Sequence, residues 1–159
     1  MKEPFKEYIC DVCGKRITVD KAMLQWLQKK SDESTLETLV DIHVCCNRKP
    51  CDSLFEERGI KEDLHEQWDH LNSFVGTEHL DKILTFPCDR IIPDEKHKEI
   101  LSIMRRLAVP YYEEARQYFT RAEYDGFIER LSLYEEGHDS WREQILKAII
   151  EKYSNEYAD

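Results

Sequence analysis

The spacing of apolar positions changes about a third of the way along the chain. Ala22, Leu24 and Trp26 alternate with their neighbours, although Met23, Trp26 and Leu27 also fit a helical face. The polar run Ser31-Asp32-Glu33-Ser34-Thr35 reads as a turn. After it, residues 39–44 place apolar and β-branched residues at alternate positions, so the two segments predict a β-hairpin. In that hairpin Val40, Ile42 and Val44 point one way, and His43 and Cys45 the other.

Beyond Pro50, which suits the first turn of a helix, the period becomes helical. Leu64, Trp68, Leu71 and Val75 fall at i, i+4, i+7 and i+11, predicting one buried stripe that ends at Gly76. Thr77 opens a second short helix through Leu80, Ile83 and Leu84, and residues 87–93 form a connector with Asp94 as the next N-cap. Ile100, Leu101, Ile103, Met104, Leu107 and Ala108 make the strongest apolar face. Pro110 forces a break before a helix through Ala115, Phe119 and Ala122, which ends at Asp125-Gly126. Ser140-Trp141-Arg142-Glu143 has the form of a capping box, opening a last helix with Ile145, Leu146, Ile149, Ile150 and Tyr153 inward. The fold class predicted is α+β: an N-terminal β-hairpin module over residues 1–58, packed on a C-terminal helical bundle over residues 59–159.

The candidate chemistry lies in the first of these halves. Cys10-Asp11-Val12-Cys13-Gly14 is a knuckle pattern, in which the chain reverses tightly enough for two thiolates to face one ion and glycine takes the backbone geometry a Cβ disfavours. Tetrahedral zinc needs two more ligands, and His43, Cys45, Cys46 and Cys51 are the candidates. His43 at a strand end and Cys51 at a helix start are preferred, because the helix dipole favours a thiolate there; Cys46 is the alternate, giving a His-x2-Cys pair. The expectation is one structural Zn2+ held by Cys10, Cys13, His43 and Cys51. Four protein ligands are at hand, and nothing marks an open position beside a general base. Cys88, between Pro87 and Asp89, is expected to fill space.

These residues resemble treble-clef and zinc-ribbon modules: Cys10-x2-Cys13-Gly14, a hairpin-length gap, then His43 with Cys51. The resemblance covers about a third of the chain and implies a fold element and a metal. More loosely, the chain from Asp11 to the run Arg106-Leu107-Ala108-Val109-Pro110-Tyr111-Tyr112-Glu113-Glu114-Ala115-Arg116 is similar to small bacterial proteins of Bacillus-like genomes and their phages, which implies no activity. The doubled Cys45-Cys46 departs from the module pattern and leaves the third and fourth ligands open.

Charge narrows the partners. The net charge is −10, with 10 Lys and Arg against 11 Asp and Glu in residues 1–58, and 13 against 22 in residues 59–159. A body with net charge 13 − 22 = −9 repels a phosphate backbone, which argues against nucleic acid as partner and favours a protein that meets the acidic helical half. Tyr111, Tyr112, Tyr118 and Tyr124 are candidate aromatic anchors for that surface. No apolar run approaches the roughly 20 residues a bilayer demands, and the charged N-terminus lacks the apolar run of a signal peptide. A cytoplasmic location follows as an expectation, and reduced thiols there favour metal over disulfides.

Other chemistry finds less support. His65-Glu66-Gln67-Trp68-Asp69-His70 has one residue too many for the zinc-protease H-E-x-x-H. On a helix, i and i+5 lie about 140° apart against about 40° for i and i+4, so His65 and Asp69 read as a solvated face. The run Arg105 to Pro110, between two helices, suggests a helix-turn-helix over residues 98–122. Its second helix opens with Glu113 and Glu114, which would face phosphates, with Arg116 and Arg121 only partly offsetting them. The function expected is a non-enzymatic, zinc-binding protein-interaction or regulatory module. A helix-turn-helix DNA-binding regulator and, behind it, a zinc hydrolase are the alternatives.

Overall fold

The computed structural model describes residues 3–127 and 143–155. Antiparallel strands carrying the cysteine cluster come first and helices follow, the mixed α and β class that the patterning predicts. Strands β1 (Glu7–Ile9) and β2 (Arg16–Thr18) pair antiparallel around the first two cysteines. Strands β3 (Ala22–Lys29) and β4 (Thr38–Cys46) form the expected long hairpin. In the connection between them Ser31 and Ser34 each accept a backbone N–H two residues on, a local pairing that favours turn over strand.

One detail of the hairpin differs from simple alternation. Leu27 pairs with Asp41 but Gln28 pairs with Leu39, so Val40 is an extra residue in β4. A bulge of this kind reverses the side-chain parity beyond it. Leu39 therefore joins Ile42 and Val44 in the core, while Val40 is only half-buried.

A larger difference follows helix α1 (Leu54–Glu62). The stripe expected from Leu64 to Val75 is not a helix: residues 65–70 form strand β5 (His65–His70), antiparallel to β3, in a sheet of order β4-β3-β5. Asp63 closes α1 in the left-handed conformation, and the chain returns along the edge of β3 that β4 leaves free. Backbone pairing at that edge overrides the local helical spacing. Trp68 consequently stands 52% exposed, whereas Leu71 and Val75, beyond the strand, are buried.

Both faces of the hairpin are covered. Ala22, Leu24 and Trp26 meet Leu71, Phe74, Ile83, Phe86 and the inner face of α3 (His97–Ala108), with Phe86 edge-on to Trp26 at 5.1 Å. On the opposite face α1 lies close, because Gly59 has no Cβ: one built there would sit 3.1 Å from the Leu64 carbonyl and 3.5 Å from Leu27. Ile100, Ile103 and Leu107 bury as the spacing of α3 predicts, but Leu101 is 48% exposed. This main core contains Tyr8 as well as Leu107, and so runs across position 58. Helices α2 (Leu80–Thr85), α4 (Tyr112–Ala115), α5 (Phe119–Tyr124) and α6 (Glu143–Ser154) complete the described chain. The last three share a separate apolar cluster with Leu146, Ile149, Ile150 and Tyr153 inward. Ser140, Trp141 and Arg142 of the expected capping box lie outside the described residues. No helix among the described residues is long and apolar enough to cross a membrane.

Candidate metal centre

The first knuckle is built by local geometry. The Cys10 N–H donates to the Lys15 carbonyl at 3.0 Å and the Gly14 N–H to the Cys10 carbonyl at 2.9 Å, closing a tight reversal. Gly14 takes φ +70, which a side chain would disfavour, and that is the task its place in the motif suggests. The second pair comes from the end of β4 and the 3-10 turn Cys51–Ser53. There the Arg48 N–H donates to the Cys46 carbonyl at 2.8 Å, so the chain folds back between Cys46 and Cys51 as it does between Cys10 and Cys13.

Cys10, Cys13, Cys46 and Cys51 come together, with all four sulfurs within 4.8 Å of one another. Thiolates at the corners of a tetrahedral zinc, each about 2.3 Å from the metal, are separated by about 3.8 Å, so only small shifts distinguish the observed spacing from a ligated one. The donor set is the soft all-sulfur kind that suits zinc. Cys10, Cys46 and Cys51 are buried and Cys13 is exposed. The Cys46 N–H points to the Cys10 sulfur at 3.4 Å, the kind of outer hydrogen bond that steadies a metal thiolate. Cys13 is brought down to about 7, first by its hydrogen bond with the Lys15 backbone. Burial, together with the neighbouring thiols, pushes Cys46 and Cys51 up. Four crowded sulfurs cannot all be anionic without a cation among them, and a dication reverses that balance. The four cysteines are thus placed to hold one metal ion, in a set compatible with a single structural zinc.

His43 stands outside this group, and Cys46, expected only as a rival to Cys51 beside His43, lies in it together with Cys51. The His43 ring is buried on the α1 face of the sheet, stacked on Phe55 at 3.7 Å, with Nε2 2.7 Å from the Gln25 side-chain oxygen. Burial lowers its proton affinity. Cys45 also turns to Gln25, its thiol donating to Oε1 at 3.2 Å, and burial raises its pKa. The doubled cysteine is divided by strand geometry, since adjacent residues face opposite sides. The signal available in the sequence was the C-x4-C spacing of Cys46 and Cys51, a second short loop between ligands to match Cys10-x2-Cys13. His43 sits three residues inside the strand, too early to share that loop.

A feature invisible to motif reasoning braces the knuckle from below. Arg106, 3% exposed on α3, donates from Nη1 to both oxygens of Asp11 at 3.0 and 2.8 Å, from Nε to Glu113 at 2.7 Å, and from Nη2 to the Ile9 carbonyl at 3.1 Å. Glu113 also accepts from the Ile9 N–H at 2.8 Å and from Arg116 at 2.6 and 3.0 Å, and Asp11 accepts from the Val44 N–H at 2.7 Å. Asp11 lies between the first two cysteines, so the buried charges tie the metal-facing loop to β4, α3 and α4.

The other candidates are dispersed. His65 is exposed on β5 and pairs with Glu37, and the residues 65–70 contribute nothing to a metal-competent group among the described residues. Cys88 is exposed at a turn, where its thiol donates to the Leu84 carbonyl at 3.6 Å. Of the four tyrosines, Tyr112 is buried, Tyr111 and Tyr118 are half-buried and Tyr124 is 86% exposed. No protein-family model, curated protein or solved structure matches the chain, so the likeness to small zinc modules rests on the cysteine geometry alone.

Proposed function

We propose that the protein is a non-enzymatic module in which one structural zinc, bound by Cys10, Cys13, Cys46 and Cys51, fixes the knuckle against the sheet for interaction with a protein partner. The observation that carries this reading is the convergence of four sulfurs from two short loops, which satisfies a tetrahedral ion with protein ligands alone. A catalytic zinc keeps one position for water, and four cysteines leave none. The acidic half, with its net charge of −9 over residues 59–159, suits a basic protein surface. The DNA-binding alternative is weakened by the geometry of residues 97–124: Arg106 and Arg116 are engaged by Glu113, and α4 spans only four residues before a 3-10 turn.

Metal analysis of protein purified without chelator tests the reading. One zinc per chain is expected, and cobalt in its place should give the visible bands of a tetrahedral tetrathiolate. Cys46→Ser should abolish those bands and His43→Ala should leave them. A metal-free protein with all thiols reduced and an unchanged fold would overturn it.

A further inference from the structure

A groove of about 580 Å³ has Cys13, Cys46 and Cys51 of the sulfur cluster in its lining and runs out from them between β2 and residues 20–21 on one side and residues 47–50 on the other. Five basic side chains line it, Lys15, Arg16, Lys21, Arg48 and Lys49, all exposed, against one carboxylate, Asp20. Arg16 is engaged by Glu7 and Gln117. The other four make no hydrogen bond or ion pair through their side chains among the described residues. Some cations elsewhere are paired, Arg58 with Asp41 and Glu62, Lys82 with Asp69, Lys96 with Asp41 and Glu99, Arg121 with Asp125, and others such as Lys29, Lys30, Lys61 and Lys98 stand singly on the surface among the described residues. Lys21 acts on the neighbouring Asp20 carboxylate, and in a chain with 33 acidic and 23 basic residues the gathering of five cations against that one carboxylate makes the groove a positive site on an acidic molecule.

The walls indicate the shape of the occupant. Arg16, Ile17 and Thr18 all line the groove although successive strand residues face opposite sides, so it is the edge of β2 that borders it. Among the described residues β2 pairs only with β1, which leaves its other edge open to an added strand. Phosphate polymers fit less well. No aromatic side chain lines the groove to stack a base, and an open strand edge offers backbone groups that a peptide pairs with and a phosphate backbone does not.

We propose that this groove binds an extended, Asp- and Glu-rich segment of a partner protein, laid along the open edge of β2 with its carboxylates meeting Lys15, Lys21, Arg48 and Lys49. This goes beyond the zinc reading and gives the knuckle a partner opposite in sign to that of the helical half. A competing account is that the cations only offset the net negative charge of zinc bound to four thiolates, and the experiment separates the two.

Zinc-loaded full-length protein is titrated into a fluorescein-labelled peptide alternating Glu and Val, at low salt, with anisotropy as the readout and zinc content measured in parallel. Saturable binding is expected. It should weaken by about tenfold or more in Arg48→Glu/Lys49→Glu with zinc retained, and stay unchanged in Lys29→Glu/Lys30→Glu at the far end of β3. A peptide N-methylated at alternate residues should lose affinity, because strand addition needs its N–H groups. Absence of saturable binding by zinc-loaded wild type overturns the proposal and leaves the zinc reading intact. Loss of zinc from Arg48→Glu/Lys49→Glu assigns the cations to the thiolates and also overturns it. Tighter binding of a labelled oligothymidylate than of the peptide overturns the choice of partner.

Discussion

The two buried clusters on the long hairpin are held by different physics. Along its length fifteen buried residues, from Tyr8 and Trp26 to Leu107, interlock around three aromatic rings, with Phe74 and Phe86 both edge-on to Trp26. Where its strands begin and end, the second cluster is Cys10, Met23, Cys45, Cys46 and Cys51, fringed by Val12 and Ile17. The first has apolar area enough to order itself. The second must hold two reversing loops with a handful of small side chains, which is the situation in which small domains rely on a metal. On the proposed zinc reading, the order of the knuckle would be conditional on the ion and the order of the body would not.

The strongest way to break that comparison is to take the metal away. Structural zinc contributes on the order of 10 kcal/mol in small zinc modules, far more than the few contacts of the cysteine corner can replace. Chelation should deprotect the backbone amides of residues 10–15 and 46–53 in hydrogen exchange, while β3 and α3 keep their protection. Cys10→Ser should do the same without chelator. Collapse of protection throughout would show that the body also depends on the ion and that the two regions are one cooperative unit.

Next in size is the link between the regions. Arg106 hydrogen-bonds to both Asp11 and Glu113, with Arg116 bonded to Glu113 and more loosely paired with Asp11 at 3.8 Å, so Arg106→Met would leave Glu113, itself 7% exposed, and Asp11 with Arg116 as their remaining cation. Removing one member of a buried charge group costs on the order of 3–5 kcal/mol, because the partners stay desolvated. Chemical denaturation should show a loss of that size. Adding Glu113→Gln to the Arg106→Met chain should recover part of it, since one stranded charge is then gone. Zinc affinity should fall as well in Arg106→Met, because Asp11 sits inside the first loop; unchanged affinity would mean that the knuckle is independent of its brace.

What could be read from the sequence follows the range of the interactions involved. The knuckle was legible because Cys10, Cys13 and Gly14 carry their geometry within five residues. The long hairpin was legible from alternation, and α3 from its period. Strand β5 was not, because Leu64, Trp68, Leu71 and Val75 have helical spacing and only the vacant edge of β3 makes residues 65–70 extended. The side of Val40 was lost to a bulge that a register count cannot foresee. That Cys46 and Cys51 both join the sulfur cluster while His43 does not was not legible, because it turned on strand parity and on where β4 ends. Arg106 was read as part of an interhelical turn, while its partners at Asp11 lie 95 residues away.

The smallest effect concerns His43, the residue that belongs to neither region's core but lies on the face between them. Its ring is 9% exposed, stacked on Phe55 and bonded to Gln25, and burial lowers its pKa from the ordinary 6.5, with Arg106 acting in the same direction and Asp11 and Asp41 opposing. In the unfolded chain the imidazole takes up a proton near pH 6.5, whereas in the folded chain it does so only at lower pH. The unfolded state then binds more protons, and stability rises with pH through that window. The contribution of a neutral His43 is complete above about pH 6.5 and is lost as the pH falls toward the folded value, with a slope of at most about 1.4 kcal/mol per pH unit for one proton. Acid also protonates the cysteine thiolates and releases metal, so the wild-type curve alone is not diagnostic. The difference between wild type and His43→Gln isolates the imidazole, because glutamine can still bond to Gln25 but does not titrate. Denaturation between about pH 7.5 and about pH 5.5 should show wild type losing stability faster than the variant. Parallel curves would mean that the histidine gains a compensating partner on protonation, with Asp11 and Asp41 the carboxylates that act on it.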